Sequence, residues 1–107
     1  MFADIGVSQS DAIEDEDDRK FDGLFRKEMA IVSELKMRPG DHRTQLMDLY
    51  THPNLQVQLN AARATRVFAP EEVRAKLEAI AASRRLPQSG DAGMALYAWD
   101  EGIWKPD

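Results

Sequence analysis

Few residues in this chain have the side chains for catalysis or metal binding, and their spacing keeps them apart. His42 and His52 are the only histidines, and with Asp41 and Asp48 they could form a metal site or a general base. Ten residues of helix would hold the two rings about 15 Å apart along the axis, too far for a shared site. His42 therefore reads as a surface residue of a first turn. His52, just before Pro53, reads as support for the carbonyls of a helix C-terminus. The run Glu14-Asp15-Glu16-Asp17-Asp18 offers oxygens to a hard cation. A calcium loop counted from Glu14 lacks the glycine at its sixth position and the glutamate at its twelfth, where Phe25 stands. The run fits a solvated turn entering the positive end of the next helix.

Nucleophilic catalysis has no signature either. The chain contains no cysteine, no G-x-S-x-G, no H-E-x-x-H and no glycine-rich phosphate loop. Gly90-Asp91-Ala92-Gly93 is too short to cradle a phosphate and reads as a turn in which Asp91 caps the last helix. These patterns assign no catalytic residue, metal ligand or cofactor.

The elements that would position any site are helical. Asp41 after Pro39-Gly40 and Asn54 after Pro53 are plausible N-caps, and Pro70 suits a first turn followed by Glu71 and Glu72. The punctuation predicts helices over about 3–13, 19–37, 42–51, 55–68, 71–84 and 90–100, joined by short connections and packed antiparallel. The second carries Phe21, Leu24, Phe25, Ile31, Val32 and Leu35 on one broad face, and the fifth carries Val73, Leu77, Ile80 and Ala81. The fourth has two apolar stripes: Val57, Ala61, Ala64 and Phe68 on one side, and Leu55, Leu59 and Ala62 on the other. Between them run seams of Gln56, Asn60 and Arg63 and of Gln58 and Thr65. A helix with two apolar stripes must be gripped on both sides, as in a stack of helix pairs.

Composition agrees with a helical globule and limits the partners. Hydrophobic residues make up 43% of the 107, enough for one core, so the expectation is a single helical-repeat domain over 1–107. No apolar run approaches the roughly 20 residues of a membrane span, and Met1-Phe2-Ala3-Asp4 lacks the basic start of a signal peptide, so a cytoplasmic location is expected. The net charge of −5 is uneven: residues 1–22 carry eight acids and two bases, residues 23–85 seven acids and eleven bases, and residues 86–107 four acids and one base. An acidic whole argues against nucleic acid as the main ligand.

The stretch from Leu46 to Ala62, with its leucine-rich first helix, the Thr51-His52-Pro53-Asn54 turn and Val57 before small residues, resembles a HEAT repeat. Gln58 departs from the pattern by standing where such repeats usually place arginine, which interrupts any arginine ladder. With Pro39-Gly40-Asp41, Ala69-Pro70-Glu71 and the 87–94 segment, the chain over about 10–107 is similar to a small bacterial family of unknown function. That resemblance implies an all-α fold, an armadillo-type α-α superhelix of about six antiparallel helices. It implies no activity and no site residues.

The expected function is therefore non-catalytic binding of a protein partner or of a second copy. Even-numbered helices lining a concave side would present Gln56, Asn60 and Arg63 as contacts. In the last helix Ala92, Leu96, Trp99 and Ile103 form an inward stripe, while Met94, Tyr97 and Ala98 face outward. Trp104 in the tail is expected to cap this end, and Trp99 and Trp104 are otherwise the candidates for self-association. Two alternatives stand beside this reading. A nucleic-acid-binding or processing domain would need a continuous groove of Arg26, Lys27, Arg63, Arg66, Arg74 and Lys76. A neutralising partner of a toxin would use the acidic N-terminal region against a basic target.

Overall fold

Capping side chains and a first-turn proline mark several of the helix starts. Asp17 opens the second helix by accepting from the Lys20 amide at 3.0 Å. Asn54 Oδ1 accepts from the amides of Gln56 and Val57 at 2.9 and 3.2 Å, and Pro70 occupies a first-turn position. The computed structural model describes residues 1–105, and among them the chain is all-α. Its elements are α1 (Phe2–Glu14), α2 (Asp18–Met37), a 3-10 helix (His42–Thr51), α3 (Leu55–Thr65), α4 (Pro70–Ala82) and α5 (Gln88–Asp100). Residues 106 and 107 of the expected domain lie outside the described residues.

Two local differences from the sequence reading have physical causes. The 42–51 segment is a 3-10 helix, closed by a bond from the His52 amide to the Leu49 carbonyl at 3.0 Å. Its greater rise puts the two histidines about 20 Å apart along the axis, further than an α-helix would. The last helix begins at Gln88, so Asp91 lies in its first turn and is not its cap. The Asp91 carboxylate still suits that positive end.

Successive elements pack as pairs: α1 with α2, the 3-10 helix with α3, and α4 with α5. Between the pairs α3 is central, touching α1, α4 and α5 as well as its own partner. No residue from Leu55 to Thr65 is exposed, so both stripes are covered over that length; Phe68, expected at the end of one stripe, lies past the helix end and is exposed. Leu59, Ala61 and Ala62 are fully buried in a cluster with Leu46, Tyr50, Val73, Leu77, Ile80 and Ala92, and Val57, also fully buried, faces Gly6 of α1. Removal of that apolar surface from water is the main stabilising term.

The expected layering of even-numbered helices along one concave face is corrected by the neighbour of α3 in the first pair, which is α1 and not α2. Gly6 is the reason. A Cβ on Gly6 would fall 2.6 Å from Val57 Cγ2 and 3.0 Å from Val57 Cα, so only glycine lets α1 come this close to α3. With α1 seated there, α2 stands off from α3 and a groove opens between them. The radius of gyration is 13.2 Å, close to the roughly 13 Å of a compact chain of this length.

Candidate binding groove

Two helices place polar residues where their apolar stripes should continue. In α1 the stripe Phe2, Ile5, Gln9, Ala12 contains one amide, and in α2 the stripe Phe21, Leu24, Glu28, Ile31, Leu35 contains one carboxyl group. Both are buried, Glu28 to 2% exposure. They meet: Gln9 Nε2 donates to Glu28 Oε1 at 3.0 Å. Asn60 Nδ2 donates to Gln9 Oε1 at 2.6 Å, Gln56 Nε2 to Asn60 Oδ1 at 3.0 Å, and Gln88 Nε2 to Gln56 Oε1 at 2.9 Å. The result is a ladder from α5 through α3 and α1 to α2, in which every amide donates in the same sense and the last acceptor is a carboxyl group. Aligned donors of this kind polarise one another, and among the described residues no buried side-chain nitrogen or oxygen lacks a partner.

Above the end of this ladder lies the groove, a cavity of about 240 Å³ lined by Phe25, Glu28, Met29 and Val32 from α2 and by Asn60, Arg63 and Ala64 from α3. Apolar side chains form most of its lining, with Glu28, Asn60 and Arg63 as the polar groups, the usual composition of a binding site. Burial pushes the Glu28 carboxyl above its ordinary range, while the hydrogen bond from Gln9 and the charge of Arg63 act in the opposite direction. Arg63 Nη2 donates to Asn60 Oδ1 at 3.2 Å. Phe25 and Met29 remain 43% and 40% exposed at the rim. A second apolar cavity of about 410 Å³ lies between α1 and α2, lined by Ile5, Leu24, Lys27 and Ile31 among others, but lacks a buried polar group.

The residues singled out from sequence fall in different places. Gln56 and Asn60, expected as partner contacts, are inside the molecule, Asn60 at 0% exposure, because their amides serve the ladder. Of that trio Asn60 and Arg63 line the groove and Gln56 does not, and only Arg63 is not fully buried. Trp99 and Trp104 are half-buried and meet edge to face, with ring centroids 5.6 Å apart. The Arg66 guanidinium lies over both rings, at 4.0 and 4.7 Å from their centroids, and donates to the Trp104 carbonyl at 2.5 Å. The tail thus covers the α5 end of the molecule. Ile103, expected in the inward stripe, is instead 68% exposed: Gly102 turns the chain at φ +68°, and Trp104 takes the inner place.

Other expected roles also change. His52 Nδ1 accepts from the Asn54 amide at 3.0 Å and so braces the turn, while Gln58 Nε2 donates to the His52 carbonyl at 2.6 Å. Of the basic residues, Lys27 faces the α1–α2 cavity and Arg63 the α2–α3 groove. Arg74 forks the Asp100 carboxylate at 2.7 and 3.2 Å, and Lys76 bonds Gln58 at 3.3 Å. This dispersal is not the continuous groove that phosphate binding requires. No described helix is long and apolar enough to cross a membrane.

Gln9, Glu28, Gln88 and the buried Arg43 were not singled out from the sequence. For the first two the signal was present as a polar residue at helical spacing inside an apolar stripe. Arg43 is held by Asp41, at 2.9 and 2.7 Å, and lies 5.1 Å from the Phe68 ring centroid. That fork holds the Asp41 carboxyl below the ordinary range. Nothing in the local sequence distinguishes this arginine from its exposed neighbours.

Comparison with known proteins agrees with this architecture. A family model described as "Domain of unknown function (DUF2019)" matches residues 1–100. The crystal structure of the protein RPA1889 from Rhodopseudomonas palustris CGA009 superposes with a TM-score of 0.95 at 45% sequence identity, covering 99% of this chain and 88% of that one. No curated protein matches.

Proposed function

Because the chain belongs to the DUF2019 family, whose description assigns no function, we propose from its own geometry that it is a non-catalytic module that binds a protein partner in the α2–α3 groove. The observation that carries this reading is the state of α2. None of its large apolar residues Phe21, Leu24, Phe25, Met29, Val32 and Leu35 is fully buried, and its one fully buried residue is Glu28. A 20-residue helix normally earns its place by burying an apolar face, and here much of that face is left at a groove. A partner helix or loop laid between α2 and α3 would complete the burial. The three successive pairs support reading the fold as a short armadillo-like stack, in which grooves between elements serve as binding surfaces.

The test is Phe25→Glu with Met29→Glu. Both side chains are already partly in water, so the pair should shift folding stability by no more than about 1 kcal/mol. Partner capture by the tagged full chain in its native host, followed by mass spectrometry, should lose its specific proteins. Retention of the same proteins by the doubly substituted chain would contradict the assignment.

A further inference from the structure

We infer that the α2–α3 groove recognises an acidic side chain of the partner, seated on the Arg63 guanidinium, with a neighbouring apolar side chain packed against Phe25, Met29 and Val32. This rests on the groove being the partner site, and it names what the partner must carry.

Four arginines are packed at least partly into the fold. Arg43 forks the Asp41 carboxylate, Arg74 forks that of Asp100, and Arg66 covers two tryptophan rings and takes a backbone carbonyl. Arg63 has none of these. Its one hydrogen bond among the described residues goes to an amide oxygen, Asn60 Oδ1, which already accepts from Gln56. A guanidinium presents five N–H donors in a rigid plane matched to a carboxylate, so most of the capacity of Arg63 is unfilled.

The nearest carboxyl group, Glu28, does not fill it. Glu28 Oε1 is held by Gln9 from α1, and the two side chains form no ion pair, although the positive field of Arg63 reaches Glu28. The groups around Glu28 are the amides of Gln9 on α1 and Asn60 on α3 and the guanidinium of Arg63, the one charge among them. The groove therefore offers a cation with a single protein hydrogen bond, beside the apolar side chains of Phe25, Met29, Val32 and Ala64. Bidentate binding of a carboxylate is among the strong interactions that fork can make, and the apolar walls suit the carbon atoms that carry it.

Amide NMR of the full chain tests this with hexanoate, hexan-1-ol and hexylamine, and with a blocked Leu-Glu-Leu tripeptide whose only carboxylate is a side chain. Hexanoate should move the signals of Phe25, Met29, Val32, Arg63 and Ala64 saturably, with a Kd of order millimolar. It should bind about tenfold more tightly than the alcohol, while the amine should bind no better than the alcohol. The blocked tripeptide should move the same signals. Arg63→Gln should remove the preference for hexanoate over hexanol, and Arg63→Lys should restore part of it, a readout that loss of fold would not give. Equal binding of acid and alcohol, or shifts scattered elsewhere, would overturn the inference, and so would binding of hexanoate with no response to the tripeptide. If F25E/M29E abolishes partner capture while acid and alcohol bind alike, the groove stands as the partner site and the carboxylate reading alone falls. If capture survives that pair, the partner-site reading falls.

Discussion

The groove beside α2 and the capped end beside α5 are built from similar materials and end in opposite states. At the α5 end Arg66 and Arg74 lie over Trp99, Arg66 also covers Trp104 and holds its carbonyl, and Asp100 takes the Arg74 fork. Both arginines there are matched within the chain, although Met94, Tyr97 and Ile103 stay exposed. At the groove the buried ladder satisfies the amides, but Arg63 keeps most of its donors and Phe25 and Met29 keep much of their surface in water. The difference teaches that unfilled capacity, more than residue type, marks an interaction site. Two tryptophans in a tail look like a contact surface by composition, yet here they close the fold upon itself.

Substitutions can break this contrast at either end, and the ladder should respond most. Asn60→Leu removes two amide links at once and leaves Gln56 and Gln9 each short of a partner in a dry interior. It should cost about 3 kcal/mol or more by urea unfolding. A loss below about 1 kcal/mol would mean that water or rearrangement replaces those bonds. Gly6→Ala should follow, at about 2 kcal/mol, because the added methyl meets Val57 at 2.6 Å and α1 must retreat. The same unfolding assay measures it, and a neutral result would show that α1 has room to slide.

At the other end Arg66→Ala uncovers Trp99 and Trp104 and should cost about 1 kcal/mol, with tryptophan emission shifted to the red. Unchanged emission would show that the rings do not depend on that cover. The smallest effect should carry the opposite sign. Burial raises the folded-state pKa of Glu28, so its contribution to stability is fully present below the ordinary value of 4.5 and is lost as pH rises through the raised value. Glu28→Gln keeps an acceptor for Gln9 without the charge and should raise the melting temperature at neutral pH, with the gain vanishing below pH 4.5. A gain constant with pH would show that charge is not the cause.

Much of the scaffold was legible because its signals are local. Asn54 and Pro70 mark helix starts by their own chemistry, and the double stripe required burial on both sides, which holds over 55–65 and fails at Phe68 past the helix end. The groove was not legible in the same way. Periodicity placed Gln56, Asn60 and Arg63 on one seam, but whether a seam faces solvent depends on which helix covers it, and that was decided by Gly6 admitting α1. The ladder joins residues 9, 28, 56, 60 and 88, contacts that no window along the chain contains. The tail followed a similar logic. Its capping role could be argued from Trp104, but the exchange of Ile103 for Trp104 depended on the turn at Gly102.

Site-specific photocrosslinking in the native host tests the binding site most directly. A benzophenone side chain placed at Phe25, on the groove rim, should yield a defined crosslinked protein, and one placed at Tyr97 on the outer face of α5, which is the more exposed of the two at 57% against 43%, should not. A product from position 97 with none from position 25 would contradict the account.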